Sequence, residues 1–256
     1  MLLAQTLLLF ALAQQTTSPP QAVVPAATEK PTPPAPAHTG LRALLGELKA
    51  DVEHLPSLEN LSLAGLGGGL AVAVHPADRS VNARLISHYD VVNDIFAPAK
   101  YYGAPPEQLA LSVGTYVFGR IMHQPKVSHL GMDLLRAQAV TELMVGPLKL
   151  AVRRARPDGS NRQSFPSGHA AITFAAAAVI ERHLGWKKSV LAYVVASYVA
   201  TSRLHDNRHY LSDVVFGAGV GLVAGRTVTR HGRSNWTFGP TVVPAGIAVT
   251  ATRTKF

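Results

Sequence analysis

Lys149 and Arg156 stand seven residues apart in the stretch KLAVRRARP. Two helical turns cover about 7.2 residues, so this spacing puts both cations on one face of a helix. Pro157 disfavours helical backbone at the residue before it, which ends the element at Arg156 and offers its guanidinium at a helix end. A second stretch, FPSGHAAITF, begins at Phe165. Ser167 is a good helix cap, and Gly168 lets the backbone approach a ligand closely. The first N–H groups of the helix that follows have no intrahelical partner, and with the helix dipole they form a seat for an anion. His169 lies in that first turn, where an imidazole can pass a proton to whatever the seat holds. A third stretch, SRLHDNRHYLSD, places His209 and Asp213 four residues apart on one helical face. A carboxylate there can accept one imidazole N–H and leave the other nitrogen to act, the nucleophile-plus-orienter arrangement of covalent catalysis. Arg203 precedes His209 by six residues, so a turn through His205-Asp206-Asn207 has to intervene if both are to serve one site.

Taken singly, these stretches have ordinary readings: a solvated basic face, a capped helix, a surface ion pair of small value. Together they point to chemistry on a phosphate. Residues 149–213 hold ten Lys or Arg and four Asp or Glu. So few carboxylates speak against a metal cluster for phosphate activation. The positive charge that phosphoryl transfer needs would come from Lys and Arg, helped by backbone N–H groups.

Lys149-x6-Arg156-Pro157, Pro166-Ser167-Gly168-His169 and Ser202-Arg203-x5-His209-x3-Asp213 resemble, in order and at every signature position, the three motifs of the type 2 phosphatidic acid phosphatase and vanadium haloperoxidase superfamily. The motifs span 65 residues, and the helical context extends the resemblance to about 80–229. The resemblance implies that His209 is a nucleophile forming a phosphohistidine, with Asp213 as its orienting partner. It implies that His169 protonates the leaving alkoxide and then activates water. Lys149, Arg156, Ser167, Gly168 and Arg203 would cradle the phosphoryl oxygens. No metal and no cofactor is implied, although vanadate or phosphate can occupy such a site.

These residues must be positioned by the rest of the 256-residue chain, which carries a net charge of +9 and no cysteine. Disulfides and a cysteine nucleophile are thereby excluded. The basic balance suits anionic partners. Residues 1–13 (MLLAQTLLLFALA) read as an export signal, with a short apolar core and a small-x-small end. Residues 14–39 are a proline-rich linker, and folding is expected to start at Gly40. Leu41, Leu44, Leu45, Leu48, Val52 and Leu55 follow helical spacing. The glycine-rich segment 63–74 fits either a closely packed helix or a loop. Further helices are expected over 79–90, 106–122, 132–154, 168–184, 187–203 and 208–229, punctuated by Pro105, Pro125, Gly131, Pro157, Pro166 and Gly185. Residues 234–256 read as a β-hairpin tail around Pro244-Ala245-Gly246. The expected fold is all-α: a multi-helix bundle of the acid phosphatase and haloperoxidase type over 40–233, with the short hairpin appended.

The apolar runs Ala170–Ile180, Ser189–Thr201 and Val214–Gly225 hold 11, 13 and 12 residues. A bilayer span needs about 20, so these lengths favour core helices of a water-soluble bundle. His205 and Arg208 are expected to shape the turn or rim. Arg153 and Arg154 are expected to be solvated or to meet a headgroup. His123, His129 and His183 read as structural or surface residues, and Trp186 and Trp236 as packing residues.

The expected function is a metal-independent phosphatase acting on phosphomonoester or pyrophosphate groups of a lipid-linked or small substrate. It would be exported, with peripheral membrane contact. A vanadate-dependent haloperoxidase is the alternative enzyme, and a non-catalytic scaffold for anionic lipid the alternative without chemistry. Nucleic acid is not an expected partner, since no aromatic platform accompanies the charge.

Overall fold

The computed structural model describes residues 40–87, 89–230, 234–243 and 246–255. The expected export signal, the proline linker and the Pro244-Ala245 turn lie outside the described residues. The helices run in the order α1 (Leu41–His54), α2 (Leu58–Val74), a 3-10 turn (His75–Ala77), α3 (Asp78–Leu85), α4 (Asp90–Tyr102), α5 (Pro105–Ile121), α6 (Pro125–Val152), α7 (Gly168–Leu184), α8 (Trp186–His205) and α9 (Leu211–Val228). Strands β1 (Ser234–Val243) and β2 (Gly246–Lys255) close the order as an antiparallel pair, registered from Ser234 opposite Lys255 to Val243 opposite Gly246.

The glycine-rich segment is helical: Ser57 caps α2 by accepting from the Asn60 N–H. Gly67 of α2 meets Gly219 of α9, where a Cβ on Gly67 would lie 3.3 Å from the Gly219 Cα. Gly131 does not begin a helix, as expected, but lies well inside α6. A Cβ on it would stand 2.3 Å from the Tyr116 backbone nitrogen, so this glycine lets α5 and α6 touch. Pro125 opens α6 at its first turn, where the missing N–H costs nothing. The single helix expected over 79–90 is instead α3 and an extended link before α4. Pro98 inside α4 masked that helix in the sequence.

The centre of the bundle is α9 against α7. Gly217, Gly221 and Gly225 recur every four residues and so lie on one stripe of α9. A Cβ on them would sit 2.5 Å from the Ser167 carbonyl oxygen, 2.1 Å from that of Ala171 and 2.5 Å from that of Ala175. The two backbones are therefore in contact, and α7 is held through its alanines: Ala170, Ala171, Ala175, Ala177 and Ala178 are fully buried.

Elsewhere the burial pattern is inverted. On α5, Gln108 and Ser112 are buried while Leu109, Val113, Val117 and Ile121 face outward. Inside, the Gln138 amide of α6 donates to the Gln108 carbonyl and the Ser112 hydroxyl. Leu61, Leu66 and Leu70 of α2, Leu143 and Leu150 of α6 and Val190, Leu191 and Val194 of α8 are likewise exposed. Water-soluble surfaces rarely show apolar stripes of this extent. The short uninterrupted runs in the sequence understated this, because polar residues that break them point inward. Among the described residues only α9 is long and apolar enough by composition to cross a bilayer, and 61% of it is buried inside the protein.

The α7–α9 contact yields a paired test. Gly221→Val should destabilise the protein by about 3 kcal/mol or more, since overpacking against backbone cannot be relieved by a rotamer change. Gly146→Ala on α6, where a Cβ meets nothing within 4 Å, should be neutral or stabilise by about 0.5–1 kcal/mol. Thermal melts in detergent would measure both.

Candidate active site

The three sequence stretches meet at one end of the bundle, where α6 and α8 finish and α7 and α9 begin. Ser167, which caps α7, donates its N–H to the Asp213 carbonyl of α9 at 3.0 Å. A Cβ on Gly168 would lie 3.9 Å from Lys149 Cε, which puts the α6 lysine beside the α7 N-terminus. His169 sits in the field of Arg203, His209 and Lys149 together. All eight residues singled out by spacing, Lys149, Arg156, Ser167, Gly168, His169, Arg203, His209 and Asp213, thus belong to one neighbourhood.

Their detailed partners differ from expectation in four places. Helix α6 ends at Val152, where Arg153 takes a left-handed conformation with φ 49°. Arg156 therefore lies in the following loop, with its N–H bonded to the Asn161 carbonyl, and not on the helical face of Lys149. Its Nε is buried and has no hydrogen-bond partner among the described residues. Burial, and after it the nearby Arg208 charge, pulls the Arg156 pKa below the ordinary arginine value.

Asp213 is not in hydrogen-bond reach of His209: its Oδ2 lies 3.9 Å from Nδ1. The Nδ1–H instead donates to the Ser164 carbonyl at 2.6 Å. Asp213 acts one step back. It accepts from the Ser164 hydroxyl at 2.5 Å, from the Tyr210 N–H at 2.8 Å and from Arg154 at 2.6 Å. The carboxylate thus fixes the residue whose carbonyl fixes the imidazole. This leaves His209 with Nδ1 protonated and Nε2 carrying the lone pair. Burial holds the ring below the ordinary imidazole range, so it is neutral at pH 7.

Arg154 is the third difference. It was expected to be solvated or to meet a headgroup, but it bridges Asp213 and Asp78, at 2.6 and 2.7 Å, and lies over the Tyr210 ring. Arg203, fourth, pairs with Asp206 at 2.5 Å and is nearly buried. Arg208 pairs with Asp158 at 2.9 Å. Lys149 donates to the Gln163 carbonyl at 3.0 Å. His169 donates from Nε2 to the Lys100 carbonyl at 3.2 Å, and burial, with the Arg203 charge after it, holds the ring's pKa down at about 4, so Nδ1 carries a lone pair in the resting site. A cavity of roughly 480 Å³ opens beside Arg203 and Arg208, bounded by Asp94 and Lys100 of α4.

Helix α3 is the part that spacing did not reveal. Asp78 accepts from the Ser212 N–H and hydroxyl, at 2.8 and 2.7 Å. The Asn82 amide donates to the His209 carbonyl at 3.0 Å and to Asn207 at 3.2 Å. These two residues, four apart on one face, brace both ends of the His209 loop. The turn expected at 205–207 exists, with Asn207 at φ 54°. His205 closes it as a buried strut, bonded to the Leu85 carbonyl and Asn93 and stacked on Phe96.

A helix N-terminus, a buried neutral imidazole and a second imidazole in the same field thus share one end of the bundle. Residues 130–236 match the family model of the PAP2 superfamily. A lipid A 1-phosphatase of Porphyromonas gingivalis is 44% identical over 99 residues, covering 38% of this chain and 21% of that protein. A PA-phosphatase related-family protein of Dictyostelium discoideum is 26% identical over 145 residues, 46% of this chain and 53% of that one. The chain thus spans between a fifth and about half the length of these relatives. Among solved structures, a transmembrane PAP2 type phosphatidylglycerolphosphate phosphatase from Bacillus subtilis superposes with a TM-score of 0.56 and 25% identity, over 66% of this chain and 92% of that one.

Arg154→Ala should leave Asp78 and Asp213 facing each other without their shared cation. The expected cost is about 2 kcal/mol, below that of a fully buried pair because Arg154 is about one-fifth exposed. Arg154→Lys should recover part of it. Denaturant melts of both variants against the parent would measure this.

Proposed function

We propose that this protein is a phosphatase that removes phosphate from phosphorylated lipids without a metal ion. The observation that carries the reading is unbalanced charge beside a buried nucleophile. Among the described residues, Arg154, Arg203 and Arg208 have carboxylate partners, whereas Lys149 and Arg156 have none within ion-pair reach. Two uncompensated cations and the orphan Nε of Arg156 suit a doubly charged phosphoryl group.

The steps follow from the two imidazoles. Phosphate binds on Lys149, Arg156, Arg203 and the backbone N–H groups at the start of α7. His209 Nε2 attacks phosphorus as the bond to the leaving oxygen breaks. As the anionic phosphate binds, His169 takes up a proton from solvent on Nδ1 and becomes an imidazolium; it passes that proton to the leaving oxygen, so the alcohol departs neutral. The phosphohistidine is then attacked by water, whose proton His169 takes back, and inorganic phosphate leaves. The cations offset the charge on the equatorial oxygens throughout.

A lipid substrate is supported by the outward apolar faces of α2, α5, α6 and α8. We place the site where these apolar faces meet the lipid headgroups. The named relatives act on lipid A and phosphatidylglycerolphosphate, which supports the same substrate class. Export of the site to the extracytoplasmic side rests on the apolar segment Leu7–Leu12 and the small residues after it.

Phosphate release should be measured on phosphatidate, phosphatidylglycerophosphate, an undecaprenyl pyrophosphate and soluble esters, all with EDTA. Release from the lipids is expected to persist in chelator. His209→Ala should lower kcat by at least about 10³-fold while phosphate still binds. His169→Ala should accumulate an acid-labile phosphoenzyme after mixing with labelled p-nitrophenyl phosphate, whose leaving group needs no proton. Wild-type turnover in His209→Ala would overturn the assignment, and bromination with peroxide and vanadate in place of phosphate release would move it to the haloperoxidase branch.

A further inference from the structure

At the far end of the bundle from the phosphate site, His129 and Asp133 stand one turn apart near the start of α6. His183 reaches them from the last turn of α7. All three can present a metal-ligating atom, and those atoms lie within 4.8 Å of one another. Asp133 Oδ2 is 2.9 Å from His183 Nε2 and 3.4 Å from His129 Nε2. We propose that His129, Asp133 and His183 form a binding site for one divalent transition-metal ion, zinc foremost, that clamps α6 to α7.

The distances fit the chemistry. Zinc binds imidazole nitrogen and carboxylate oxygen at about 2.0–2.2 Å, which puts neighbouring ligand atoms of a tetrahedron about 3.3 Å apart. Two of the three edges are already near that value. The third lies within 4.8 Å and would close by a small rotation of the His129 ring. Three protein ligands leave a fourth position for water. Two imidazoles and one carboxylate are also a ligand set for iron or manganese, so the donor set defines a class of ion.

The surroundings supply what such a site needs. Asp133 is fully buried, and its other oxygen accepts from Arg136 at 2.9 Å, which holds the carboxylate plane in place. Arg136 is also shared with Asp51 at 2.6 Å and Glu47 at 3.5 Å. Three carboxylates thus surround one guanidinium. The two rings meet edge to face, with centroids 5.0 Å apart, on either side of the shared carboxylate oxygen. None of these residues belongs to the phosphate site, so the ion would serve stability and leave hydrolysis unchanged.

The test uses the full chain, purified without a histidine tag in detergent and stripped by chelator. Cobalt(II) should bind saturably at one per chain, with visible d–d absorption, and zinc should displace it. Zinc should raise Tm by several degrees, and EDTA should reverse the rise without lowering phosphate release. His183→Ala and His129→Ala should each lose the cobalt spectrum and the Tm response. His183→Gln serves if His183→Ala does not fold. Absence of saturable cobalt binding to the wild-type chain would overturn the proposal, as would an unchanged spectrum in the folded histidine variants.

Discussion

A buried carboxylate, that of Asp213, organises the end of the bundle on which everything else depends. It is fully enclosed, and burying a charge without partners would be prohibitive. Its partners come from three parts of the chain: Arg154 beyond α6, Ser164 in the loop and the Tyr210 N–H before α9. Satisfying one ion therefore gathers the loop 153–167 and the start of α9. The backbone carbonyl of Asp213 also receives the N–H of Ser167, so the anion seat at α7 is tied to the same residue. Asp78 repeats the logic from α3, sharing Arg154 and capping Ser212.

Much of this was legible in the residues themselves. The identity of the site was carried by charge type and spacing: cations seven apart, a capped imidazole and a histidine one turn before an aspartate. The α7 boundaries could be read from Ser167 and Gly185, both of which act as expected. What spacing cannot reveal is which atom meets which. The 3.9 Å gap between His209 and Asp213, filled by the Ser164 carbonyl, depends on a loop whose path no periodicity encodes. The bridging role of Arg154 was hidden for the same reason, since its two carboxylates are 76 and 59 residues away in the chain. Asp78 and Asn82 look like ordinary surface residues of a short polar helix until α9 is laid against them.

The orientation of the helices was the harder matter. Leu109, Val113, Val117 and Ile121 show a perfect apolar stripe, and such a stripe is ordinarily assigned to the core. Here the core takes the opposite face, with Gln108, Ser112 and Gly119 inward. The signal that could have reversed the reading is the distribution of small residues. Gly119, Gly131, Gly217, Gly221 and Gly225 mark where helices touch, as expected when association relies on close packing and hydrogen bonds more than on hiding apolar surface from water.

The Ser164 carbonyl has one more consequence. A main-chain oxygen is present whatever side chain occupies position 164, so no substitution there can delete the acceptor that sets the His209 tautomer. Replacement can only loosen its aim, by removing the hydroxyl that Asp213 grips. The tautomer of this imidazole is thus insulated from genetic change at its nearest neighbour, and it is vulnerable instead at one remove, where a single carboxylate keeps the strand of backbone taut.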